Sequence, residues 1–253
     1  MKALLLLLLL PASWLLTNPW AERGAISVAA TGRVPVVVEL FTSEGCSSCP
    51  AADEALRKLE AAQSVPGVEI IALGEHVDYW NRLGWKDGFS SPAYTARQRQ
   101  YAQGFGSGAY TPQAVVNGQY EFVGSHVGDL TKAAASAAKS PRAVVALAAK
   151  GGAVQVRVTD VPSATAPTEV LLAITESGLA SQVGRGENAG RLLRHASVVR
   201  QLTSLGRVGA TGSFTARVAP ALGVGWKRPN LRAVVLVQEV ASRRIVGAAV
   251  TAL

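Results

Sequence analysis

Cys46 and Cys49 are the only cysteines in this 253-residue chain. They are spaced C-x-x-C, directly after the apolar run Val36–Phe41 and directly before a run with helical periodicity, which is the placement of a thiol–disulfide redox motif. At a helix N-terminus the unpaired N–H groups favour negative charge and so favour a thiolate over a thiol. Cys46 is therefore the candidate nucleophile. Cys49, further into the helix, is placed to resolve the mixed disulfide that Cys46 would form. The same spacing also suits a small structural disulfide or half of a metal site.

The elements that must hold this pair can be read in order. Val36, Val37, Val38, Leu40 and Phe41 form a short run rich in β-branched residues, predicting a buried strand. Glu39 interrupts it. A carboxylate there needs a partner or a raised pKa, so Glu39 either exchanges protons with the thiols, pairs with a lysine or arginine, or points to solvent. Pro50 to Gln63 reads as an amphipathic helix with proline near its start. Val68 to Leu73 is a second strand, and the following GEHVDYWNRLGWKDGF gathers His76, Asp78, Tyr79, Trp80, Trp85 and Asp87. Ser91 to Gly104 reads as a helix capped by Ser91. Thr111-Pro112 precedes a strand at Ala114–Val116, an Asn117-Gly118 hairpin turn, a strand at Tyr120–Val123 and an alanine-rich helix from Val127 to Lys139.

Strand, C-x-x-C, helix, strand, helix, X-Pro, strand, turn, strand, helix is an order that resembles the thioredoxin superfamily over residues 34–139. The resemblance implies a cis bond at Pro112, with Thr111 and Pro112 helping to form a substrate groove against Cys46 and Cys49. More narrowly, ELFTSEGCSSCPAAD, HVDYWNRLGWKDGF, RQRQYA and YTPQAVVNG look like a bacterial family of exported thioredoxin-like proteins of unknown function. That likeness implies a periplasmic or secreted location and an appended β-rich domain. Ser47-Ser48 between the cysteines and Gly45 before them depart from well-studied thioredoxins, which leaves the direction of electron flow open.

The N-terminal MKALLLLLLLPASWLLTNPW has the short positive start and apolar core of a secretory signal peptide, assigned to residues 1–30. The remaining chain divides by charge: residues 30–140 carry 9 Lys and Arg against 11 Asp and Glu, whereas residues 141–253 carry 14 against 5. Two domains are expected, residues 31–140 and 141–253. Strand-like runs at Ala143–Ala149, Ala153–Val158, Thr168–Thr175, Arg194–Leu202, Gly212–Val218, Leu231–Gln238 and Ile245–Val250 predict an all-β antiparallel sandwich for the second. The expected fold class is thus an α/β thioredoxin-like domain followed by an all-β sandwich-like domain. Within the basic half, RGENAGRLLRHASVVR offers Asn188, Arg191, Arg194 and His195 either as an anion site or as one side of an exposed hairpin, and the hairpin is the expectation adopted.

Taken together these residues predict an exported thiol–disulfide oxidoreductase without a cofactor, acting on an unknown protein thiol or disulfide. Cys46 attacks, Cys49 resolves, Thr111 and Pro112 shape the groove and Glu39 manages a proton. An alternative is copper handling by Cys46, Cys49 and His76, a set containing soft ligands suited to Cu(I). Another is a binding module in which the disulfide is a staple. The basic half suits an anionic envelope surface. Nucleic acid is not expected, because the basic residues are scattered through strands with few aromatics between them. No Ser-His-Asp set, phosphate loop or dinucleotide fingerprint gives a hydrolase or nucleotide reading a starting point.

Overall fold

A computed structural model describes residues 32–162 and 166–253; the signal peptide expected over residues 1–30 lies outside them. The apolar run around Val36 forms β1 (Val34–Thr42), followed by α1 (Cys49–Ala62), β2 (Val68–His76), α2 (Pro92–Phe105), β3 (Gln113–Val116), β4 (Tyr120–Val123) and α3 (Val127–Ala137). The basic half supplies β5 (Val144–Lys150), β6 (Ala153–Thr159), β7 (Thr168–Glu176), β8 (Ala180–Gln182), β9 (Leu192–Arg194), β10 (Val198–Arg207), β11 (Phe214–Val218), β12 (Leu231–Glu239) and β13 (Ile245–Ala252). Most of these bounds fall within one or two residues of the sequence expectation; β9 and β10 divide and extend the run expected at Arg194–Leu202.

Alternation along the strands sorts side chains onto two faces. Val36, Val38 and Leu40 of β1, Ile70 and Ala72 of β2, and Ala114 and Val116 of β3 pack with Ala52, Leu56 and Leu59 of α1 and Leu130 and Ala134 of α3. Each buried Leu or Ile on this face contributes about 1.5–3 kcal/mol. On the other face Val37, Ile71 and Leu73 meet Tyr94 of α2. By the same alternation Thr42 and His76 point to the α1 side, and Glu39 and Glu75 point to the α2 side.

The sheet itself corrects the expected fold class. One eight-stranded sheet runs in the order β13-β12-β7-β10-β2-β1-β3-β4, so strands from both halves of the chain lie in a single layer. The join is between β10 and β2, which meet in parallel at Val198 and Gly74. The Gly74 N–H donates to the Ser197 carbonyl at 2.7 Å. A Cβ at Gly74 would lie 3.4 Å from that same carbonyl, in van der Waals contact. β2, buried along nearly its whole length, is a central strand. The strands expected to form a separate sandwich divide instead: β7, β10, β12 and β13 join the long sheet, and β11-β6-β5 form a three-stranded sheet packed on its β7, β12 and β13 end.

The long sheet also curls back on itself. Ile245 of β13 donates its N–H to the Asn117 carbonyl at 2.9 Å, and the Asn117 side chain accepts from Val37 N–H at 2.8 Å. At the neighbouring Gly118, with φ +65°, a Cβ would lie 2.0 Å from the Arg243 carbonyl oxygen, so the turn between β3 and β4 can touch the turn between β12 and β13 only with glycine there.

Candidate functional site

Cys46 and Cys49 form a disulfide with a Cα–Cα distance of 5.4 Å. Cys49 is the first residue of α1 and Ser48 its N-cap, with Pro50 in the first turn, so both sulfurs sit at the helix end where N–H groups lack intrahelical partners. Cys46 and Cys49 are each 1% exposed, whereas Ser47 and Ser48 between them are exposed. The Cys46 sulfur lies 3.4 Å from Ser48 Oγ.

Two loops close over this turn. From the β2–α2 connection, Trp80 lies against Gly45, where an added Cβ would meet the Trp80 Cβ at 3.2 Å. The Trp80 indole N–H donates to Thr111 Oγ1 at 2.8 Å. The Thr111–Pro112 bond is cis, as the resemblance implied, and Pro112 precedes Gln113, which pairs with Phe41 near the end of β1. Trp80 thus links Gly45, next to Cys46, to Thr111 at the cis bond. The other cover comes from the basic half. Between β8 and β9, which form a small hairpin, Asn188 donates from Nδ2 to the carbonyls of Glu44 and Cys46, each at 2.9 Å, and Glu187 accepts from Ser47 N–H at 3.0 Å.

This corrects the exposed-hairpin expectation for RGENAGRLLRHASVVR. Arg191 and Arg194 are exposed, but Asn188 is fully buried and His195 is 4% exposed. Asn188 reaches the Glu44 and Cys46 carbonyls and His195 reaches the Glu44 side chain.

Beneath the turn lies a cluster of five titratable side chains. His195 Nε2 meets Glu44 Oε1 at 3.1 Å, and its Nδ1 lies 3.6 Å from Asp53 Oδ1. Asp53 accepts from Thr42 Oγ1 at 2.6 Å. His76 Nδ1 meets Asp87 Oδ2 at 2.6 Å, and the same oxygen accepts from Glu44 N–H at 2.9 Å. The His76 and His195 rings stand edge to face at 4.8 Å. Trp85 donates its indole N–H to Glu44 Oε2 at 2.7 Å.

The electrostatics of the cluster oppose burial at every member with a resolved shift. Burial alone would push His195 down, yet hydrogen bonds and charge from Asp53 and Glu44 lift it to about 9. Burial raises Glu44, but hydrogen bonds led by that from His195 hold it below the usual carboxylate range. Burial raises Asp87, and the charge and hydrogen bond of His76 bring it below its usual value.

Glu39 sits elsewhere. It accepts from Arg97 Nε at 2.5 Å and from the Tyr101 hydroxyl at 2.6 Å, on the α2 face of the sheet. Asp53, four residues after Cys49 on α1, lies on the same helix face as that cysteine. His76 faces His195 and Asp53. Sequence reading missed the roles of Asp53 and Glu44. The i,i+4 spacing of Cys49 and Asp53 was the available signal for the first, while nothing local marked Glu44.

Comparison with known proteins places this architecture among related chains. A crystal structure of a protein from Agrobacterium tumefaciens is similar over 87% of this chain and 95% of its own, with 31% sequence identity and a TM-score of 0.68. HBP35 of Porphyromonas gingivalis shares the fold at 18% identity, with a TM-score of 0.63, over 87% of this chain and 76% of its own. A search of curated proteins gave no match. The family model described as protein of unknown function DUF1223 matches residues 37–238, and the chain belongs to that family.

Proposed function

We propose that the protein is an exported thiol–disulfide oxidoreductase related to the thioredoxin superfamily, working on a protein dithiol or disulfide through Cys46 and Cys49. The observation that carries this reading is the disulfide spanning the N-terminus of α1, immediately after β1 and beside the Thr111–Pro112 turn. In the reducing direction the Cys46 thiolate attacks a substrate disulfide, forming a mixed disulfide and releasing one substrate thiolate. The Cys49 thiolate then attacks the Cys46 sulfur, releasing the second substrate thiolate and closing the Cys46–Cys49 bond. The two electrons gained by the substrate are those lost by the cysteine pair. The opposite direction runs the same steps in reverse.

The test is a pair of variants in a disulfide-exchange assay. Cys46→Ser should abolish exchange, and Cys49→Ser should accumulate mixed disulfides that run as adducts on non-reducing gels. Exchange by both variants at the rate of the unaltered protein would refute the reading. The near-complete burial of both cysteines favours a second reading, a structural staple in a binding protein, in which neither variant changes any exchange rate.

A further inference from the structure

In the cluster beneath the disulfide, His76 Nε2 is buried without a hydrogen-bond partner, and buried His195 Nδ1 has no contact closer than Asp53 Oδ1 at 3.6 Å. The His76 side chain is 0% exposed and that of His195 3%. Burying an imidazole nitrogen without a close partner is unfavourable, and here the two belong to rings 4.8 Å apart. Asp53 completes the group: one donor atom from each of Asp53, His76 and His195 lies within 4.8 Å of the other two.

The rest of the cluster has the form of an outer ligand shell. A histidine that binds metal through one nitrogen commonly hydrogen-bonds a carboxylate through the other, which fixes the ring. His76 does this with Asp87 through Nδ1, and His195 does it with Glu44 through Nε2. Asp53 keeps Oδ2 on the Thr42 hydroxyl, while Oδ1 is the oxygen turned to His195. Asp87 and Glu44 are themselves fixed, by the Phe89 and Glu44 N–H groups and by Trp85 respectively.

We propose that Asp53, His76 and His195 form a binding site for one divalent first-row transition-metal ion. Two imidazoles and a carboxylate suit zinc, iron, nickel or copper(II), and lack the soft sulfur that copper(I) prefers. An ion about 2.0–2.2 Å from each donor requires donors about 3.3 Å apart, so small side-chain rotations of up to about 1.5 Å close the site. Three protein ligands leave a coordination position open, the pattern of sites that bind water or a substrate. The site rests on donors distinct from the cysteine pair, so it stands or falls separately from the redox reading.

The full chain, stripped with chelator and titrated calorimetrically with Zn2+, is expected to bind one ion per chain. His76→Gln and His195→Gln should each weaken binding by at least about 100-fold, and Asp87→Asn by about 10- to 100-fold through loss of outer-shell support. The double variant Cys46→Ser/Cys49→Ser should bind as the unaltered chain does; loss of binding there would assign the metal to the thiols and overturn the proposal. X-ray absorption of the zinc-loaded unaltered chain needs no variant to fold, and is expected to show two imidazoles in the first shell. A first shell without imidazole, or no saturable zinc binding, would also overturn it.

Discussion

The side chain of Asn188 bridges the carbonyls of Glu44 and Cys46, donating to each at 2.9 Å across more than half the length of the chain. A residue of the basic half therefore holds the loop that carries Cys46. With both side-chain donors on these carbonyls, Asn188 helps fix the shape of the turn that carries the disulfide.

Asn188→Ala removes both donors at once. The Cys46 carbonyl keeps the Cys49 N–H at 3.3 Å, but the Glu44 carbonyl loses its partner, at an expected cost of about 1–3 kcal/mol, and the loosened cover should let dithiothreitol reduce the Cys46–Cys49 disulfide faster. Thiol trapping against time measures the rate. If the disulfide of the folded variant reduces no faster than that of the unaltered protein, the loop between β8 and β9 does not govern access.

Arg97 is a buried cation on the α2 face. Its Nε reaches Glu39 at 2.5 Å and Glu75 at 3.5 Å, its Nη1 donates to Gln238 at 3.0 Å, and all of these groups are buried. Arg97→Met strands two carboxyl groups, and urea denaturation at neutral pH should show a loss of about 3–5 kcal/mol. Since Glu39 and Glu75 point away from α1, the reduction potential of the cysteine pair should stay unchanged in any folded fraction. A shifted potential would tie Glu39 to the thiols.

Glu75 gives the protein a pH dependence of definite sign. Burial first, then the nearby charge of Glu39, raises its pKa well above the ordinary carboxylate value. A carboxyl that holds its proton more tightly when folded contributes its full stability below the unfolded pKa and loses it as pH rises through the folded one. Glu75→Gln removes this loss. Urea midpoints should rise in the variant at pH 7 and converge with those of the unaltered chain near pH 4, and an unchanged difference across that range would contradict the assignment.

Much of the element order was legible because it is written locally. The β-branched run of β1, the helical periodicity of α1 behind Pro50, the Ser91 cap of α2 and the Asn117-Gly118 turn each depend on neighbours in sequence. The single sheet was not legible, because the Val198–Gly74 pairing that joins the halves links residues more than a hundred positions apart and leaves no local pattern. Charge asymmetry between the halves suggested a boundary, but surface charge does not report which strands share a layer. Asn188 and His195 were hidden for a related reason: among exposed arginines and glycines they read as solvated. A better clue was the scarcity of histidine, since two of only three in the chain face each other in the cluster.

The central claim is that Cys46 and Cys49 exchange electrons with other thiols, and the reduction potential of that pair tests it most directly. Equilibrating the protein in glutathione or dithiothreitol buffers and titrating free thiols gives the value. A potential between about −120 and −270 mV, the span of known thiol catalysts, is predicted, and its position within that span sets the direction of electron flow. A potential below about −300 mV, where structural disulfides lie, would contradict the account and make the pair a staple.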